Sequence, residues 1–237
     1  MAELEYPKID TLYERDDKHF VIVGKLKREE FGIIKKWSIT EKVHGINARV
    51  TLYEDGKLKY GGRTDDAEIL PEFHDYMMKT FTQERMKAVF WFHQHNDGGL
   101  SEIPKVVTIY GEGYGPHVIS GSGKYRKDLS FRLFDCIVES KSGKWWLARN
   151  NLEDVASKLG IKCVPILGTI EKLPASIRDI ELLFLGDSSG SVVAAEDCGQ
   201  NDVRPEGIIA KCEPTLFNSK GYRVMWKLKF KDFTKGT

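Results

Sequence analysis

The sequence predicts an α+β fold in which antiparallel β-sheets are flanked by helices. Three observations predict it. Stretches rich in β-branched and aromatic residues follow one another through tight turns, as hairpins do. Helical segments are inserted between groups of strands instead of alternating with single strands, which argues against a βαβ array. Hydrophobic residues make up 41% and charged residues 30% of the 237 positions, the balance of a chain that buries a core. No linker, internal repeat or low-complexity tract interrupts it, so a single domain over residues 1–237 is expected.

The elements follow in order. Residues 18–27 read as a strand, and residues 37–54 as strand, turn at His44-Gly45, and strand. Asp55-Gly56 is a two-residue turn signal, so the second of these strands is expected to pair with KLKYGGRT in a hairpin. Pro71 opens a helical segment that runs to about His95 with a break near residues 80–82. Residues 105–110 and 130–138 have the composition of buried strands. Residues 151–160 read as a short helix with Asn151 as N-cap and Gly160 as stop, and a further helix is expected over 175–185. Residues 186–205, rich in Gly, Ser and Asp, read as a long loop. Strands return at 207–212 and 222–231.

Charge excludes one simple argument. Lys plus Arg is 36 and Asp plus Glu is 35, so a nucleic-acid partner would have to be gripped by local clusters, since the net charge of +1 supplies no general attraction. Such a cluster stands near the end, where Lys220, Arg223, Lys227, Lys229, Lys231 and Lys235 face only Asp232. The four cysteines, Cys136, Cys163, Cys198 and Cys212, form no CxxC pair and read as reduced thiols of an intracellular, cytoplasmic protein. No apolar run is long enough for a membrane span. Gly121-Ser122-Gly123-Lys124 lacks the upstream glycine and the following Ser or Thr of a phosphate loop, having Val118 and Tyr125 at those positions. Gly111, Gly113 and Gly115 lack dinucleotide-fingerprint spacing. His93, His95 and Asp97 read as exposed polar residues near a helix end.

The most informative segment is Glu41-Lys42-Val43-His44-Gly45-Ile46-Asn47. Taken alone, a lysine between two strands reads as a solvated surface charge. Here it precedes a tight turn whose glycine leaves room for a phosphate, with a glutamate, a histidine and an asparagine beside it. Five further segments follow: Gly62-Arg63-Thr64, Tyr110 to Gly115, Phe131 to Asp135, Pro205 to Lys211, and Trp226 to Lys229. In this order and spacing, the six resemble the motifs of the covalent nucleotidyltransferase superfamily, which comprises polynucleotide ligases and messenger-RNA capping enzymes. The chain is most similar to the phage-type and RNA-editing RNA ligases. Capping enzymes and most DNA ligases carry an acidic residue two positions after the nucleophilic lysine. This chain has His44 there, with Asn47 after Gly45. The resemblance spans Tyr6 to Phe233, and residues 140–204 carry no matching motif.

The resemblance implies the ligase adenylylation fold, ATP as substrate with AMP carried covalently on Lys42, and Mg²⁺ or Mn²⁺. Catalytic roles fall on Lys42, Lys227, Lys229 and Glu206. Nucleotide contacts fall on Glu41, Val43, His44, Asn47, Arg63, Glu112, Phe134, Lys227 and Lys229. Glu41 is expected to read the adenine amino group, Glu112 a ribose hydroxyl, Arg63 ribose or phosphate, and Phe134 to stack on adenine with Arg132 pointing the same way. Glu206 and Asp135 are the expected metal ligands. Only a neutral amine attacks phosphorus, and near pH 7 roughly one unperturbed lysine in a few thousand is neutral, so burial and neighbouring cations are expected to depress the Lys42 pKa. The implied reaction joins RNA 5′-phosphate and 3′-hydroxyl ends, in a nicked duplex or as single strands, as in RNA repair. The alternatives are a DNA ligase, a capping guanylyltransferase, and a non-catalytic RNA-binding protein on the same fold. About eight residues follow Lys229. No second domain is recognisable there, and a protein partner or separate domain is expected to help grip RNA. The phage-type likeness includes a phage gene product in a host cytoplasm among the expected settings.

Overall fold

A computed structural model describes residues 4–91, 103–184 and 190–233. His93, His95 and Asp97, the end of the second predicted helix, and the last residue of the 175–185 helix lie outside these. In chain order the elements are β1 (Asp10–Thr11), β2 (Tyr13–Arg15), β3 (Val21–Leu26), α1 (Glu30–Ile33), β4 (Trp37–Lys42), β5 (Ile46–Tyr53), β6 (Leu58–Gly62), α2 (Pro71–Thr80), α3 (Gln83–Phe90) and β7 (Val106–Tyr114). They continue with β8 (Ser130–Ser140), β9 (Gly143–Trp146), α4 (Arg149–Lys158), β10 (Lys162–Cys163), β11 (Ile166–Ile170), α5 (Ile177–Glu181), α6 (Val192–Cys198), β12 (Gly207–Lys211) and β13 (Met225–Lys229). The α+β class and the antiparallel sheets stand as expected.

The elements group into two compact units. One takes the described residues among 1–6, 45–123 and 127–163. Its sheet runs β10-β8-β7-β5-β6, with β9 on β8. All of its pairs are antiparallel except β10 with β8. The Asp55-Gly56 turn closes the expected hairpin, with Gly56 at φ +85°. Alternation along β5 sends Ala48, Val50 and Leu52 into a core with Ile109, Leu133 and Cys136, under Phe73 and Met77 of α2 and Met86 and Val89 of α3. The helix break falls where expected, and Thr82 caps α3 by accepting from the Arg85 amide at 3.4 Å. The α4 start differs from expectation. Ala148 is the N-cap, without a side-chain bond, so Asn151 lies inside the helix. The stop holds, with Gly160 left-handed at φ +62°.

The second unit takes the described residues among 7–44, 124–126 and 164–237. Its sheet runs β1-β13-β12-β4-β11, with β1 parallel to β13, and a separate β2–β3 ribbon. Trp37 and Ile39 of β4, Ile208 and Ala210 of β12, and Trp226 and Leu228 of β13 form its core. The two indoles meet edge to face at 5.6 Å. Three expectations change here. The 18–27 strand begins only at Val21, because Asp16 to Phe20 form a turn in which the Asp16 carboxylate accepts the amides of Lys18 and Phe20. The 186–205 stretch contains α6, whose apolar start, Val192 to Ala195, is capped by Ser191. Composition hid that helix behind Gly, Ser and Asp. Short strand β11, like β9 and β10 of the first unit, lies in a region in which the sequence suggested no strand.

Candidate active site

The lysine-bearing strands of the second unit fit together through one glycine. Gly207 on β12 stands opposite Lys42 of β4 and opposite Lys229 of β13. A Cβ there would sit 2.2 Å from the Leu228 carbonyl oxygen and 2.7 Å from Lys229 Cα, so only glycine allows the approach. Glu206, the preceding residue, reaches both lysines. Its carboxylate pairs with Lys42 Nζ and, at 2.5 Å, with Lys229 Nζ, while His44 Nδ1 lies 3.7 Å away. Burial alone pushes the Glu206 carboxyl up. The two ammonium groups more than reverse this, and its pKa falls below the ordinary value.

Lys227 lies on the same β13 face as Lys229, as strand alternation requires. It has no ion pair within 4 Å among the described residues. Burial, with repulsion from Lys229 and Lys42, pushes its pKa down to about 8. Lys42 is held by the Glu206 carboxylate.

Glu41 is 1% exposed and alternates with Lys42, on the face that also buries Trp37 and Ile39. One of its oxygens accepts the Ser191 hydroxyl, and the other accepts the Val193 amide at 3.1 Å. A base that reads Glu41 has to displace these bonds. Tyr125 is also buried, and burial pushes its phenol pKa up, with the Glu41 and Glu206 carboxylates adding to the effect. Val43 is buried at 2%.

The first unit carries the other candidates on one sheet face. Asn47, Glu112 and Arg132 stand in register across β5, β7 and β8. The β7–β8 register shifts between Tyr110 and Gly111, which leaves Phe134 as an extra, bulged residue. The bulge offsets the period of two, so Asp135 opposite Tyr110 joins Arg132 opposite Glu112 on one face. Tyr6 binds this face. Its ring meets Phe134 and Tyr110, both at 5.0 Å, and its hydroxyl donates to Asp135, which is 2% exposed. Arg63 is exposed just after β6, and its carbonyl accepts the Tyr6 amide at 3.0 Å. Gly45 serves backbone packing here, since a Cβ would lie 2.1 Å from the Gly113 carbonyl oxygen. That reason differs from the space for a phosphate that the sequence suggested.

The structure therefore assembles Lys42, His44, Glu206, Lys227 and Lys229 in one unit, and Asn47, Glu112, Phe134 and Asp135 on one face of the other. Ser191, Val193, Tyr125 and Tyr6 were not singled out by the sequence. Tyr6 marked only the edge of the resemblance, and the remaining three carried no motif. Among the described residues no group of three or more His, Cys, Asp or Glu side chains could hold a metal. Mg²⁺ and Mn²⁺ sites that recruit substrate phosphates and water need only one or two carboxylates, and Glu206, set among lysines that attract phosphate, fits that mode.

A family model for RNA ligase matches residues 35–229. No curated protein sequence matches the chain. Among solved structures, a variant of the Naegleria gruberi RNA ligase with ATP and Mn aligns at 16% identity and TM-score 0.57, over 97% of this chain and 57% of that one. Another variant of it with AMP and Mn gives 16% and 0.58, over 98% and 57%. The same ligase with PPi gives 18% and 0.54, over 95% and 61%. The chain spans less than two thirds of these ligase chains, and the likeness shows a shared fold.

Proposed function

The chain belongs to the RNA ligase family, and on that premise we propose that it joins RNA 5′-phosphate and 3′-hydroxyl ends through a lysyl-AMP intermediate on Lys42. The observation that carries this is the pairing of Lys42 and Lys229 to Glu206 across three adjacent strands closed around Gly207. The ATP, AMP and Mn held by the Naegleria ligase structures support ATP and a divalent metal for this chain.

In the first step Lys42 Nζ attacks the α-phosphorus of ATP. A P–N bond forms, the P–O bond to pyrophosphate breaks, and Nζ gives up a proton. The Glu206 carboxylate stabilises the ammonium form of Lys42, so the amine becomes nucleophilic only when that pair opens. Lys227 and Lys229 favour the neutral amine by repulsion and stabilise negative charge developing on the phosphate. A divalent ion held by Glu206 would neutralise phosphate charge when bound. Asp135, the other expected metal ligand, is engaged by the Tyr6 hydroxyl and would have to be released from it first. Asn47, Arg63, Glu112 and Phe134 hold base and ribose, and Val43 and His44 complete the nucleotide contacts. Glu41 acts through the 191–193 segment that it anchors.

In the second step an oxygen of the RNA 5′-phosphate attacks the AMP phosphorus and displaces Lys42. In the third a 3′-hydroxyl attacks the activated 5′-phosphate and expels AMP. Each is an in-line displacement in which positioning and electrostatics supply the catalysis. The test is sealing of a 5′-phosphorylated nicked RNA duplex and of single-stranded RNA, with nicked DNA, and with GTP replacing ATP, as controls. ATP-dependent sealing of RNA supports the proposal. Sealing of DNA alone, or use of GTP, contradicts it.

A further inference from the structure

A cavity of about 540 Å³ opens in the second unit between the β2–β3 ribbon and the end of β13. Seven lysine and arginine side chains line it against three carboxylates. All three carboxylates are already engaged. Asp10 pairs with Arg28, Glu14 with Lys27 at 3.0 Å, and Asp232 with Arg15 at 2.7 Å. Lys8, Lys18, Lys227 and Lys231 have no ion pair within 4 Å among the described residues. Ammonium groups gathered around one cavity repel one another unless an anion stands among them. The lowered pKa of Lys227 has that cause in part.

The walls are built in advance. Asp232, 1% exposed, ties them together, since one oxygen takes Arg15 of the ribbon and the other accepts the Lys229 amide of β13 at 2.9 Å. Arg15 also donates to the His19 carbonyl. That bond helps hold His19 left-handed at φ +67°, an uncommon conformation for a residue with a side chain. The turn from Asp16 to Phe20 thus places Lys18 and His19 at the cavity edge.

We infer that this cavity is a seat for phosphate oxyanions, in which Lys8, Lys18 and Lys231 add a second wall of cations to Lys227 and Lys229. The two sources of such oxyanions are the polyphosphate of a nucleotide, or released pyrophosphate, and the phosphodiester backbone of an RNA strand. The inference deepens the ligase reading by sharing Lys227 and Lys229 with it, but binding is measurable without any chemistry.

The experiment is calorimetric titration of the full chain with inorganic pyrophosphate, and separately with a short 5′-phosphorylated RNA, at low and moderate salt. The double variant Lys18→Ala/Lys231→Ala and its charge-keeping counterpart Lys18→Arg/Lys231→Arg are titrated alongside. Both positions are exposed, so neither variant is expected to disturb folding, which circular dichroism checks. The alanine variant is expected to bind at least about tenfold more weakly, as loss of about 1.4 kcal/mol implies, with the arginine variant close to wild type. Weakening for pyrophosphate alone assigns the seat to a free polyphosphate, and weakening for RNA assigns it to the strand. No binding of either ligand by the wild-type chain, or equal binding by all three proteins, overturns the inference. Intact pyrophosphate binding in a protein that seals no RNA would leave the seat standing and remove the ligase reading.

Discussion

The sheet that carries Lys42 and the sheet that carries Glu112 manage buried charge in opposite ways. In the first, two lysines share one carboxylate, and a third lysine has no ion pair among the described residues. In the second, Arg132 bonds the Tyr114 hydroxyl and the Cys163 carbonyl, Asp135 accepts from Tyr6, and Thr51 bonds Thr108 at 3.0 Å. A buried polar group is costly unless partnered. The first sheet therefore holds electrostatic strain that a phosphate would relieve, while the second is largely satisfied within itself.

Four changes test that contrast, from the largest expected effect down. Glu206→Gln frees Lys42 from its ion pair but removes the proposed ligand of the divalent ion, and the second effect is expected to dominate. Lysyl-AMP formation is expected to slow by roughly 10²-fold or more, read as the initial rate of label transfer; an unchanged rate would break the contrast. Gly207→Ala forces a Cβ against the Leu228 carbonyl, with an expected loss of roughly 2–4 kcal/mol in denaturant unfolding. Gly45→Ala in the other unit, against the Gly113 carbonyl, is expected to cost as much. A fully stable Gly207→Ala protein would mean that the three strands pack differently.

Ser191→Ala leaves an oxygen of the buried Glu41 carboxylate without its hydroxyl donor, at a cost of about 1–3 kcal/mol. Thr51→Val strands Thr108 in the other unit and costs a similar amount. The two should separate in activity, with slower adenylylation for Ser191→Ala and none of that slowing for Thr51→Val, compared under conditions where both are folded. Equal rates would reduce the Glu41 network to a structural role.

The smallest effect is a pH dependence. The folded pKa of Lys227, about 8, lies below its ordinary 10.5. Between those values the unfolded chain binds more protons, so stability rises with pH across that window. Below pH 8 the penalty of burying the ammonium is present in full. Lys227 is partly exposed, and screening discounts the effect to about 1 kcal/mol. Lys227→Met is expected to raise stability near neutral pH and to flatten the slope between pH 8 and 10 in urea titrations. A slope equal to wild type would assign it to another group.

Much of this arrangement was legible in the sequence where the determinants are local. The Asp55-Gly56 hairpin, the break between α2 and α3, and the common face of Lys227 and Lys229 follow from turn chemistry and from strand alternation. The contacts that had no signal are distant ones. Ser191 meets Glu41 across 150 positions, and Tyr6 meets Asp135 across 129. Neither pair has a spacing that periodicity could detect. The short helix α6 was hidden because its four apolar residues sit in a stretch dominated by loop-forming types.

The most direct test of the central claim is incubation of the protein with α-labelled ATP and Mg²⁺, followed by denaturation and a search for label that stays with the chain. Label from ATP, absent with Lys42→Ala and absent with labelled GTP, is the predicted result. Label retained by folded Lys42→Ala, or no label on folded wild-type protein, would contradict it.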